Sequence, residues 1–165
     1  MIKNIIAETI KVLQSRNISL GRIVLQKYLY YLKIHGVPFK AKYSAYTHGP
    51  YSFRLARELG DMVFWDELAE NGNEYTVKDL SAYTVDDELK VKISELVDSF
   101  ARLTNNDCSF HKMELYGTVL YCRQVLKNAN EEITETKVVE EFQKWKKGKG
   151  YKNKEIVKAY KGLSQ

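Results

Sequence analysis

A chain of 165 residues, 44% of them hydrophobic, has room for one domain with a real core and is too apolar to be a disordered chain. No apolar run approaches the roughly 18 residues of a membrane span, and the opening Met1-Ile2-Lys3-Asn4 lacks a signal peptide's layout, so a cytoplasmic protein with no membrane association is expected. The net charge of +5 is split into blocks: ten basic and two acidic side chains over residues 1–60, eight and eighteen over 61–141, eight and one over 142–165. Such blocks suit two faces that satisfy each other, or an arm for a partner, better than one uniform nucleic-acid surface.

Ile2, Ile5, Ile6, Thr9, Val12 and Leu13 recur at helical spacing, which predicts a first helix over residues 2–15, stopped by Asn17. Ser19, with Ile18 and Ile23 placed as a hydrophobic staple, is the expected N-cap of a second helix reaching about Ile34. Gly36-Val37-Pro38 ends it, and Phe39 to Thr47 alternates loosely, as a short extended segment would. Pro50 suits the first turn of a third helix, with Tyr51, Leu55, Leu59, Met62 and Val63 on its buried side. Asn71-Gly72, between short apolar runs, predicts a tight hairpin.

Asp86-Asp87-Glu88 supplies negative charge at the start of a further helix that buries Leu89, Ile93, Leu96, Val97, Phe100 and Leu103. Ser109 can cap the next, which carries Phe110, Met113, Val119, Cys122 and Leu126. Thr134 opens a helix through Phe142 and Trp145, and Asn153 a last one with Ile156, Ala159, Tyr160 and Leu163 on one side. The expected fold is therefore mainly α: a single helical domain over 1–165 with a winged-helix-like N-terminal half and a small β-hairpin. Within it, residues 1–80 form the winged-helix-like part, 81–147 a helical part and 148–165 a basic C-terminal helix.

The residues that could do chemistry are scattered. His35, His48 and His111 fall in different elements, no pair has metal-ligand spacing, and no phosphate-cradling glycine loop or nucleophile elbow occurs. No catalytic residue, metal or cofactor is therefore expected. Cys108 and Cys122 lie near apolar neighbours and read as buried thiols. His48 is the best titratable candidate, and a histidine that orders the neighbouring turn is the favoured reading of it.

Six of the twelve tyrosines fall between Tyr28 and Tyr51, and tyrosine is favoured at interfaces for its area and polar tip. Lys27, Tyr30, Tyr31 and Ile34 line one helix flank. That flank reads equally as a docking face and as rings that cover the domain's own core; Tyr28 reads as core. Lys144, Lys146, Lys147, Lys149, Lys152 and Lys154 make the densest positive patch. It reads as an arm for phosphate or an acidic partner, or, the favoured reading, as a solvated helix end or a fold-back onto the acidic middle block.

Leu25-Gln26-Lys27-Tyr28, followed some two dozen residues later by Tyr46, His48 and Gly49-Pro50-Tyr51-Ser52, resembles the Panacea superfamily of SocA-like antitoxin domains, and within it the YwgA-like bacterial proteins. A weaker echo lies in Ile156 and Ala159. The resemblance implies a non-catalytic module that binds and neutralises, or delivers, a partner protein such as a toxin. The expected partner-binding residues are Lys27, Tyr30, Tyr31, Tyr46, His48, Tyr51 and Arg54, with Gly49 and Pro50 as the structural turn. Lys27, His48 and Tyr51 come from the family-like motif and the others from expected exposure. The alternative is a winged-helix DNA-binding regulator, against which stand Glu58 and Asp61 on the third helix and Glu67, Glu70 and Glu74 on the hairpin.

Overall fold

The computed structural model describes residues 1–146 and 148–165, so Lys147 of the tail patch lies outside the described residues. Helices α1 (Ile2–Ser15) and α2 (Arg22–Ile34) are followed by a hairpin of β1 (Ser44–Tyr46) and β2 (Gly49–Tyr51), then α3 (Phe53–Phe64). A second hairpin pairs β3 (Leu68–Asn71) with β4 (Glu74–Val77), and α4 (Asp87–Leu103), α5 (Phe110–Asn128), α6 (Glu135–Lys146) and α7 (Asn153–Leu163) complete the chain. The molecule is mainly α, and three helices followed by a hairpin reproduce the expected order of its N-terminal half. Gly21 bridges to Glu74, which ties the β3–β4 hairpin to the start of α2.

The centre of the core is the pair α2 and α5. Helices α1 and α4 cover α2, while α6 and α7 cover α5. Nine consecutive residues of α2, Val24 to Leu32, are buried, and so are eight of α5, Met113 to Leu120. Both helices are therefore enclosed on all sides, as a helix without a polar face must be. Tyr28 sits edge-on against Phe100 of α4, with ring centroids 4.8 Å apart.

Several boundaries differ from those expected. Helix α2 is capped by Gly21, not Ser19, because the Ser19 hydroxyl is engaged by the Gly21 N–H and by Glu74. Pro50 does not open α3. It pairs with Ala45 in a hairpin where only an extended segment was expected, and its missing N–H is harmless at an edge. The second hairpin turns at Gly72-Asn73, one residue later than expected, with Asn71 opposite Glu74. Phe110 and Trp145, expected among apolar helix faces, are about half exposed.

Helix α3 begins instead at Phe53, where the buried Ser52 hydroxyl accepts the Leu55 N–H at 3.1 Å. A Ser52→Ala substitution is expected to remove that cap and destabilise the protein by about 1 kcal/mol, read by chemical denaturation. No loss would mean that the Gln26 bonds described below set the start of α3 alone.

Candidate functional site

The signature residues converge on one place, the underside of the β1–β2 hairpin. Gln26 behaves as a short strand: its Nε2 donates to the Ser52 carbonyl at 3.0 Å and its Oε1 accepts the Ser52 N–H at 2.9 Å. Lys27, 1% exposed, reaches past it and donates from Nζ to the Pro50 carbonyl at 2.9 Å. Leu25 and Tyr28, the motif's other members, are in the core. Thus Leu-Gln-Lys-Tyr on α2 grips Gly-Pro-Tyr-Ser from behind.

Two glycines make the grip possible. A Cβ on Gly117 of α5 would stand 2.8 Å from Cδ of Lys27, so the lysine stem lies where a side chain would be. Gly49 has φ +93°, a conformation L side chains rarely adopt, and a Cβ there would meet the Thr118 hydroxyl at 2.8 Å. The turn itself is Thr47-His48; Gly49 and Pro50, expected as the structural turn, open β2 directly after it, with Gly49 seated on α5 by close approach.

A buried charge cluster lies beside the grip. The Glu114 carboxylate accepts a hydrogen bond from Tyr151 Oη at 2.7 Å and stands 3.6 Å from Nζ of Lys146 and 3.4 Å from Nδ1 of His48. Lys146 donates in turn to the Thr47 carbonyl at 2.9 Å, so the hairpin is held by one lysine on each side. Burial pulls the Lys27 ammonium down to about 7, with Lys146 adding repulsion and Glu114 opposing both. Burial, with the bond to Glu114 in support, pushes the Tyr151 phenol up. His48, about two-fifths exposed, packs edge-on against Phe110 at 4.2 Å. It stands in the turn between β1 and β2.

The expected docking flank is corrected here. Lys27, Tyr30 and Tyr31 are buried, because α4 and α5 cover both sides of α2. Tyr30 packs on Tyr43 at 4.7 Å; Tyr31 stacks on Phe100 at 4.6 Å and shares a hydrogen bond with Ser99 at 3.0 Å. The signal was in the sequence: between Val24 and Leu32 the side chains are aliphatic or aromatic apart from Gln26 and Lys27, which leaves no polar face. Lys146 is likewise buried against Glu114, so it does not join a solvated basic patch. Lys144 and Lys161 also turn to carboxylates of the acidic block, Glu141 and Glu135.

The remaining candidates do come together at the surface. Tyr46 and Tyr51 lie diagonally across the hairpin with centroids 5.2 Å apart, and Phe53 at the start of α3 packs at 5.2 Å from each. Tyr46 is 52% and Phe53 60% exposed. Arg54, adjacent, pairs with Glu58 at 2.9 Å and edges a cleft of about 530 Å³ with Met1, Ile2, Pro38, Phe39 and Lys40. Phe53 was missed by the sequence reading because a helix begun at Pro50 gave it no special place.

Among the described residues no cluster of histidine, cysteine and carboxylate side chains could hold a metal ion, and no helix is long and apolar enough to cross a membrane. No family model matches the chain, and no curated protein matches it.

Proposed function

We propose that this chain is a non-catalytic protein-interaction module that works in the cytoplasm, binding and neutralising or delivering a partner protein as the SocA-like resemblance implies. The observation that carries this reading is the exposed Tyr46–Tyr51–Phe53 cluster on a hairpin fixed from behind by Gln26, Lys27 and Lys146. Exposed aromatics in contact with one another, held on a rigid support, supply area without an ordering cost, which is what an interface anchor needs. Arg54 and His48 flank the cluster and add polar contacts.

The charge pattern favours a protein over DNA. Seven of the ten cations of residues 1–60 are engaged within the chain: Lys3, Arg16, Arg22 and Arg54 by carboxylates, and Lys11, Lys27 and Lys33 by backbone carbonyls. A phosphate backbone needs free cations, and the outer face of α3, which would enter the major groove, presents Phe53 and Phe64.

The test is capture from native lysate, run with and without nuclease, by the tagged protein and by a Tyr46→Ser/Phe53→Ser variant. A stoichiometric protein retained by the first and reduced roughly tenfold or more in the second is expected. Recovery of nucleic acid alone, lost at moderate salt, would overturn the reading in favour of the DNA-binding regulator.

A further inference from the structure

Helix α3 carries a second aromatic cluster that the partner face does not use. Phe64 and Trp65, at its C-terminal end, are 77% and 68% exposed and pack edge-to-face at 5.1 Å. Phe53, Arg57, Gly60 and Phe64 recur at i, i+4, i+7 and i+11, so they form one stripe along the helix. That stripe lies opposite the buried Leu55, Leu59 and Met62. The space above Gly60 is open, with no atom within 4 Å of where a Cβ would be. Large exposed aromatic rings at both ends of one helix face call for a cover.

We propose that the cover is α3 of a second copy of this chain, crossing antiparallel about a two-fold axis between Arg57 and Asp61. The pattern is self-complementary. Residues placed symmetrically about that axis meet across it, so Phe53 of one copy faces the Phe64–Trp65 pair of the other, twice. The same symmetry sets Arg57 against Asp61 of the second copy, twice. Arg57 has no ion-pair partner in its own chain among the described residues, and Asp61 is half exposed with Lys3 at the longer distance of 3.6 Å. Gly60, near the axis, lets the two backbones approach. An interface that matches itself in both shape and charge is what a two-fold dimer requires.

Dimerisation goes beyond the partner-binding reading and does not depend on it. Because it covers Phe53, which the partner face also uses, the second copy and the partner compete for the start of α3.

Sedimentation velocity on the full chain tests it. A species of twice 19.2 kDa is expected at protomer concentrations up to roughly 100 µM. Phe64→Glu is expected to leave only monomer. Arg57→Asp and Asp61→Arg should each weaken the dimer about tenfold or more by placing like charges together, and the two combined should restore it. All three side chains are on the surface, and circular dichroism checks that the variants stay folded. A protein that is monomeric throughout, a dimer indifferent to Phe64→Glu, or a double variant no tighter than the singles would each overturn the proposal. A monomer that still captures a partner would overturn the dimer alone and leave the partner face standing.

Discussion

Replacing Glu114 with alanine is expected to destabilise the protein by about 3–5 kcal/mol, the loss typical of a buried ion pair deprived of one member. Its carboxylate is the acceptor for Tyr151 Oη and the negative charge that faces both Lys146 and Lys27, two lysines that are almost wholly buried. Without it their ammonium groups keep only the carbonyls of Thr47 and Pro50, which offer dipoles in place of a charge. Glu114→Gln retains an acceptor for Tyr151 and removes only the charge, so it should fall between wild type and alanine. Urea denaturation gives the magnitude. Amide exchange gives the location: faster exchange in β1 and β2 before the rest of the chain is expected, since both lysines fasten that hairpin. A loss under about 1 kcal/mol would mean that water reaches the cluster and screens it.

Helix positions were largely legible because each amphipathic face repeats on its own. Ile2, Ile5, Ile6 and Leu13 mark α1 to its observed ends, and Ser109 and Asp86 cap α5 and α4 as their chemistry suggests. The hairpin of β1 and β2 was not legible, because three-residue strands carry no periodicity and are made by tertiary contacts. Pro50 illustrates the conflict: its ring suits a helix start, yet the side chain of Gln26, two dozen residues away in sequence, takes both backbone groups of Ser52 and moves the start to Phe53. Local preference lost to a long-range pair of hydrogen bonds.

The candidate site divided along the same line. Tyr46, His48, Tyr51 and Arg54 reach the surface because they lie on the hairpin and the first turn after it. Lys27, Tyr30 and Tyr31 do not, because exposure on a central helix depends on which other helices pack there. Of the family-like motif, Lys27 lies behind the hairpin, whereas His48 and Tyr51 reach its surface. Lys27 lies where Gly117 has no side chain, and the hairpin above it approaches Thr118 only because Gly49 has none. That relation joins three distant positions and has no signature in any one of them.

Lys27 also makes stability depend on pH in a window where few other groups act. Its folded value is pulled to about 7, whereas the unfolded chain has the ordinary 10.5. Between those values the unfolded state binds the extra proton, so stability rises with pH through 7 and the penalty of a buried charge is in full force below it. At about 1.4 kcal/mol per unit, roughly 2 kcal/mol should be gained between pH 6 and 8.5. The hydrogen bond survives the change, because a neutral amine still donates to the Pro50 carbonyl. Above pH 9 the Cys122 thiol, pushed up to about 12 by burial, works in the opposite direction, so the rise should flatten there. Denaturant midpoints across pH 6 to 8.5 measure the effect, with Lys27→Met as the control. The variant should lose the slope and be less stable than wild type at pH 8.5 by about 1–3 kcal/mol, since the Pro50 carbonyl then has no donor. An unchanged slope in Lys27→Met would assign the titration to another group and leave Lys27 charged throughout, held by Glu114.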